Sequence, residues 1–349
     1  MLNRDHLSGV PSPTERDDIF YGLLAGEGKA VLLRSIVQLG LPALLASKGP
    51  LTYDQIISEL ALHPHRGRKW LLLLQYADLI VETPLTSHDH KARYTNSSFV
   101  KALFDEDGKG GPFYKDFMRF WQKATSYNMV DLLRGLPIEQ SVPYPPRTLE
   151  ETEALHAWMR DTARETLTTI KKHFDFSKVS TLLDVGGGDA TMATQLVKDF
   201  PNVHATVFNL PAAAYLARQT VAKAGVTGRV SVIDGDFFND DLPFGYNVVM
   251  FSRVLADWPK DTCRMLLKKA HRSIDPGGTL LICEPLTDQN PALTIAFEQS
   301  QLPYDDFGYQ LYKPLHIYEQ LLQETGFAIA AVHNRDADSV HSVIIAHRL

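Results

Sequence analysis

The stretch Thr181-Leu182-Leu183-Asp184-Val185-Gly186-Gly187-Gly188-Asp189-Ala190-Thr191 decides the architecture of this chain. An apolar run of strand character passes directly into consecutive glycines, which let a backbone take conformations closed to other residues and approach a ligand closely. Further short apolar runs follow at Ala205-Thr206-Val207-Phe208, Val230-Ser231-Val232-Ile233, Val248-Val249-Met250-Phe251 and Thr279-Leu280-Leu281-Ile282, with helical stretches between them. Strands alternating with helices build βαβ units, so the spacing predicts an α/β fold with a mainly parallel sheet and helices on both faces.

Upstream the character is helical. Residues Ala30 to Leu41 set apolar side chains at helical spacing, with Gly40 as the stop. Thr52 and Gln55 form a capping-box pattern ahead of Ile56-Ile57-Ser58-Glu59-Leu60, and Lys69 to Tyr76 makes the next helix. Ile80-Val81-Glu82-Thr83 and Ala92-Arg93-Tyr94-Thr95 look like the strands of a small hairpin. Short helices and a hairpin suggest a winged-helix arrangement, which elsewhere reads DNA through a basic recognition helix. Here that segment is mostly leucine behind His63, His65, Arg66, Arg68 and Lys69, so a dimerising surface is the better reading. Residues 111–170 are mainly helical and broken at Val142-Pro143-Tyr144-Pro145-Pro146, where successive prolines force an extended turn that serves as a hinge or ligand-facing loop. The expected organisation is an N-terminal helical, winged-helix and dimerisation domain over 1–110, a helical linker and active-site cover over 111–170, and the α/β domain over 171–349.

Bulk properties narrow the function classes. The chain has 349 residues, 44% hydrophobic and 22% charged, a globular balance whose length suits two domains at roughly 100–200 residues each. Its formal net charge is −6 and no lysine and arginine patch stands out, which argues against nucleic acid as a partner. Cys263 and Cys283 have no metal-ligand spacing, so no metal is expected and a reducing compartment fits. The polar start, Met1-Leu2-Asn3-Arg4-Asp5-His6, and the lack of an apolar run of spanning length point to a cytoplasmic protein without a membrane partner.

The glycine turn alone also suits a plain structural turn, since Thr191 stands where dinucleotide binders carry a third glycine and no Walker lysine is present. The following strands add to it. About 20 residues on, Asn209-Leu210-Pro211 ends the second strand where an acid or amide can bond ribose hydroxyls. Asp234-Gly235-Asp236-Phe237-Phe238 ends the third, with a carboxylate and an aromatic face placed for an adenine. These motifs, with Ser252-Arg253-Val254-Leu255-Ala256-Asp257-Trp258, Asp275-Pro276-Gly277-Gly278 and Glu284, resemble the S-adenosylmethionine-dependent O-methyltransferases related to caffeic acid, hydroxyindole and anthracycline methyltransferases. The resemblance covers nearly the whole chain. It implies a Rossmann-like class I methyltransferase domain, a winged-helix dimerisation domain and a homodimer, a small-molecule substrate, and S-adenosylmethionine as cofactor. The cofactor-binding residues it implies are Asp184, Gly186, Gly188, Asn209, Leu210, Asp236, Phe237, Ser252, Arg253 and Trp258. Gly186 and Gly188 then line the methionine part, Asn209 meets the ribose, Asp236 and Phe237 meet the adenine, and Trp258 packs on its ring.

The pattern breaks at its catalytic centre. Where the family reads Leu-His-Asp-Trp, with the histidine as general base, this chain has Leu255-Ala256-Asp257-Trp258. Of the two glutamates that flank that histidine, one corresponds to Glu284 and the other falls near Gln310, while Gly308 to Pro314 departs from the usual stretch. A general base contributes about 10²–10⁴-fold, roughly 3–5 kcal/mol of barrier. An acceptor already nucleophilic at neutral pH needs no base, and His156, His316, Tyr127 and Tyr312 are substitutes for one. Candidate catalytic residues are Glu284, Tyr127 and Asn128; candidate substrate contacts are Trp121, Phe297, Tyr304 and Gln310. The alternatives are non-methylating uses of the cofactor: a hydroxylase or pericyclase, or intramolecular cyclisation to azetidine-2-carboxylate with release of methylthioadenosine, which an aromatic cage around Trp121 and Tyr127 favours. A cofactor-sensing winged-helix binding protein is the alternative of another class.

Overall fold

The computed structural model describes residues 11–84, 91–104, 111–136, 145–146, 148–303, 311–337 and 339–349. The chain divides into two compact units, the first ending at Met118 and the second beginning at Arg119.

The first unit contains helices α1 (Pro13–Gln38), α2 (Leu41–Lys48), α3 (Tyr53–Glu59) and α4 (Pro64–Tyr76), the antiparallel pair β1 (Ile80–Glu82) and β2 (Tyr94–Asn96), and α5 (Ser98–Phe104). Helix α1 starts well ahead of the apolar run at Ala30. A capping box between Ser12 and Glu15, with the Ser12 amide donating to the Glu15 carboxylate at 2.8 Å and Pro13 in the first turn, nucleates it. The expected box at Thr52 is present, and the Gln55 side chain accepts from the Thr52 amide at 2.9 Å. Ile36, Leu41, Leu45, Ile56, Leu71, Leu74 and Ile80 form the core of this unit. No single helix among the described residues is long and apolar enough to cross a membrane; α1 and α2 meet that test only together, as a pair bent by 57°.

Helix α6 (Gly111–Ala124) spans the division, followed by α7 (Met129–Leu133) and the long α8 (Leu149–His173). The expected boundaries after residues 110 and 170 differ from this division: α8 continues through 170, and its Ala163, Leu167 and Ile170 pack into the core of the second unit. That unit is built on β3 (Thr181–Val185), β4 (His204–Asn209), β5 (Val230–Asp234), β6 (Tyr246–Ser252), β7 (Ile274–Glu284), β8 (Phe327–His333) and β9 (Ser342–Arg348), ordered β5-β4-β3-β6-β7-β9-β8. Strands β5 to β7 of this row run parallel, while β9 pairs antiparallel with both β7 and β8. The intervening helices are α9 (Thr191–Asp199), α10 (Pro211–Lys223), α11 (Lys260–Ser273), α12 (Pro291–Gln301) and α13 (Leu315–Glu324).

Alternate residues of each strand serve opposite layers. Leu182, Val207, Val248 and Met250 pack with α8, α9 and α10, whereas Leu183, Val185, Val249 and Phe251 pack with α11 and α13. Burial on both faces is why these strands read as continuous apolar runs. The chain winds outward through β4 and β5 on one side of β3, then returns to β6 and β7 on the other. A crevice therefore opens at the carboxyl ends of β3 and β6, the switch point where α/β sheets bind ligands.

Candidate active site

A cavity of about 200 Å³ lies at that switch point. Its floor is the turn leaving β3. A Cβ on Gly187 would collide with the Asp184 carboxylate, and Gly188, at φ +59°, would bring one within 3.2 Å of the His156 ring. Asp189 closes the turn. One carboxylate oxygen accepts from the Thr191 amide at 3.2 Å and the Thr191 hydroxyl at 2.7 Å at the start of α9, and the other accepts from Arg160 of α8 at 2.6 Å.

The next two strand ends supply polar and aromatic walls. The Asn209 amide donates to the Gly188 carbonyl at 3.3 Å and accepts from the Leu210 amide at 2.8 Å, joining β4 to the glycine turn. Asp236 folds its own loop, accepting from the Phe238 amide at 2.9 Å and the Asn239 side chain at 2.7 Å. Phe237 and Phe238 each meet Trp258 edge to face, with Phe238 and Trp258 centroids 4.9 Å apart. Arg253 leaves β6 at φ +58°. Its guanidinium donates to the Thr162 hydroxyl at 2.6 Å and the Met159 carbonyl at 3.3 Å, tying the end of β6 to α8.

Three lining groups have perturbed protonation, among them Arg253, whose pKa burial lowers. Asp184 is 2% exposed, one of its carboxylate oxygens has no hydrogen-bond partner, and burial pushes its pKa up to about 7 against the pull of Arg253. Burial lowers the pKa of His156, outweighing the opposite effect of Asp189.

Every cofactor residue expected from the sequence, namely Asp184, Gly186, Gly188, Asn209, Leu210, Asp236, Phe237, Ser252, Arg253 and Trp258, lines this one cavity, as do Pro145 and Pro146 of the expected ligand-facing turn. None of the described candidate catalytic and substrate residues is among those lining it. Glu284 is 1% exposed behind the cavity wall. One of its oxygens accepts from the Val254 and Leu255 amides at 2.7 and 2.8 Å, and burial together with Asp257 raises its pKa to about 8. Asn128 is exposed and caps α7, its side-chain oxygen accepting from the Val130 amide at 2.9 Å. Tyr127 and Trp121 are half-buried, and Phe297 packs edge-on to Tyr312 at 5.4 Å; none of the three lines the cavity. Tyr304 and Gln310 lie outside the described residues.

Sequence reasoning missed the wall supplied by α8, where Thr152, Leu155, Met159 and Arg160 join His156. It also missed Lys313, 4% exposed, whose ammonium donates to the carbonyls of Leu255, Ala256 and Leu311 at 3.0–3.1 Å. Glu284 and Lys313 thus hold the short helical turn Leu255–Asp257 from opposite polarities of its backbone.

A doubly wound sheet with this glycine turn, ribose-side amide and aromatic wall defines a class I transferase for a nucleoside-bearing cofactor. The O-methyltransferase domain model matches residues 144–328. The N,N-dimethyltransferase OxyT of Streptomyces rimosus is 30% identical over 284 residues, covering 78% of this chain and 79% of OxyT. The L-tyrosine C(3)-methyltransferase of Streptomyces lavendulae is 28% identical over 344 residues, 93% of this chain and 91% of that enzyme. The structure of the S-adenosylmethionine-dependent methyltransferase SibL superposes with a TM-score of 0.75 at 27% identity, covering 95% of this chain and 98% of SibL. The chain belongs to the S-adenosylmethionine-dependent O-methyltransferase family, and S-adenosylmethionine is its cofactor.

Proposed function

We propose that this protein methylates a small molecule of secondary metabolism at an acceptor atom that is nucleophilic at neutral pH without a general base. The observation that carries this reading is Ala256: the position is 2% exposed, bears no proton acceptor and does not line the cavity. Glu284 does not replace it. With a pKa of about 8 its carboxyl is protonated at neutral pH, and one oxygen is committed to backbone amides.

The lining residues fit the cofactor. The glycine turn leaves room for a ligand, Asp184 presents a buried unpaired acceptor, and Phe237 and Trp258 offer aromatic surface for a purine. Gly186, Gly188, Asn209, Asp236, Phe237 and Trp258 would hold it. Bound S-adenosylmethionine supplies a methyl group on a sulfonium, a strong electrophile. What the chain adds is placement: Phe237, Phe238 and Trp258 exclude water from one side, and Arg253 holds α8 against the end of β6 so that the walls stay in register. Holding two reactants in line substitutes for chemical activation when the acceptor is an amine, a ring nitrogen, a thiolate or a stabilised carbanion. The names of the N,N-dimethyltransferase and the tyrosine C-methyltransferase are in keeping with acceptors beyond hydroxyl groups. Trp121 and Tyr127 are not among the described residues that line the cavity, so the cage that would favour cyclisation of the cofactor has no support from its lining. A homodimer formed through the N-terminal unit completes the proposal.

Incubation with S-adenosylmethionine alone, read by mass spectrometry, tests this function. The expected result is intact cofactor, with S-adenosylhomocysteine appearing only when a nucleophilic small molecule is added. Methylthioadenosine formed without any acceptor overturns it.

A further inference from the structure

The loop that carries Phe237 and Phe238 is braced by a lysine that is not among the residues lining the cavity. The segment from Asp234 to Asp241 holds four aspartates, Asp234, Asp236, Asp240 and Asp241. Its own groups shape it: Asp236 spends both carboxylate oxygens within the loop, on the Phe238 amide at 2.9 Å and the Asn239 side chain at 2.7 Å, and its amide donates to the Asp240 carboxylate at 2.8 Å. None of these three bonds ties the loop to another element. Lys269 of α11 does so, its ammonium donating to the carbonyls of Phe237 at 3.0 Å and Asp240 at 2.6 Å. Hydrogen bonds from a charged donor are roughly twice as strong as neutral ones. The other cations at this segment, Arg218 on Asp234 and Arg272 on Asp241, form exposed ion pairs, which hold little.

We propose that Lys269 is a positioning residue for the purine end of an S-adenosyl ligand, setting where Phe237 and Phe238 stand relative to Trp258. The inference rests on the cavity being the S-adenosyl site. Helix α11 begins two residues after Trp258, and its Leu266, Leu267 and Ala270, which flank Lys269, are buried in the core. One firmly packed helix therefore follows one aromatic wall directly and reaches the backbone of the other through Lys269. The Phe237 ring, on the residue whose carbonyl Lys269 holds, meets Trp258 edge to face at 5.6 Å between centroids. That spacing matters for a flat ligand, because a gap of about 0.5–1 Å forfeits a quarter to a half of the dispersion attraction across it.

Calorimetric titration of the full chain with S-adenosylhomocysteine and methylthioadenosine, two probes that share the purine, tests this role at a temperature where melts show each variant folded. Lys269→Met is expected to weaken both about tenfold, with a changed near-ultraviolet circular dichroism signal from the Phe237 and Trp258 rings. Lys269→Arg, which keeps a cationic donor, restores most of the affinity and the signal. Lys268→Met, at the exposed neighbour on the same helix, leaves both probes at wild-type affinity. If Lys269→Met does not fold, Lys269→Gln, shorter and uncharged, takes its place. Wild-type affinity in the folded variant overturns the positioning role and leaves the cavity as the S-adenosyl site. A loss confined to S-adenosylhomocysteine, a loss shared by Lys268→Met, or a Lys269→Arg protein as weak as Lys269→Met overturns it equally. Failure of the wild-type protein to bind either probe overturns the cavity reading itself.

Discussion

A carboxylate sealed at the end of β3, as Asp184 is, makes a poor anion, and its pKa of about 7 means that folding favours its protonated form. The folded value lies above the unfolded value of 3.8, so this residue's contribution to stability is full below pH 4 and is lost as the pH rises through 7. The difference corresponds to about 4 kcal/mol at pH 8. Asp184→Asn is therefore expected to raise the melting temperature, with a stability gain at pH 8 exceeding that at pH 5 by about 2–3 kcal/mol, while cofactor affinity falls. Thermal melts across pH check this; a gain independent of pH would mean that Asp184 is already ionised in the fold. The site is thus expected to be destabilised by the group it needs for binding, a trade-off familiar in functional sites.

Between residue and fold stands the turn Val254–Trp258, which holds Ala256 at the position where the family carries its base. Its amides are taken by Glu284 and its carbonyls by Lys313, so its shape does not depend on the missing imidazole. Lys313→Met leaves two buried carbonyls and one part-buried carbonyl without this donor and is expected to cost about 3 kcal/mol in a urea unfolding curve. Because Trp258 follows the same turn, affinity for S-adenosylhomocysteine should also fall severalfold; a variant matching wild type in both would show that the turn holds itself. Lys313 was not legible in the sequence, since a lysine within Leu311-Tyr312-Lys313-Pro314 looks solvated and only the tertiary fold buries it. The same limit applies to Met159 and Arg160, and to the place of His156 in the cavity wall. They stand 24 or more residues before Asp184 on a helix with no local signature, and reach the site only because α8 packs on the sheet. Asn209, Asp236 and Phe237 were legible because each follows the end of a strand, where sequence order and spatial order coincide. Strands β8 and β9 escaped the alternation argument, being joined to each other without a helix and running antiparallel. The cap that Asn128 makes on α7 was not read from the sequence either, where a polar residue beside aromatics suggests chemistry first.

At the scale of the whole molecule, α1 is left with an apolar face. Of its 26 residues only Ile36 is buried, while Ile19, Phe20, Tyr21, Leu23 and Leu24 are 58%, 55%, 65%, 72% and 51% exposed. Helices in water draw most of their stability from packing an apolar face, and a contiguous apolar patch of this kind marks an interaction surface. A second copy of the chain is the occupant that the family resemblance implies, and a stable interface buries about 1,600 Å² in total, within reach of so long a helix paired with its neighbours. Light scattering coupled to gel filtration is expected to give twice the chain mass of 39.1 kDa at micromolar concentration. The double variant Leu23→Glu, Leu24→Glu places charges on that face and should shift the protein to the single-chain mass, leaving methylthioadenosine binding in the second unit intact. A wild-type protein of single-chain mass at tens of micromolar would remove the dimer. Loss of ligand binding together with dimerisation would mean that the cavity depends on the assembled protein, although every described residue lining it belongs to the second unit.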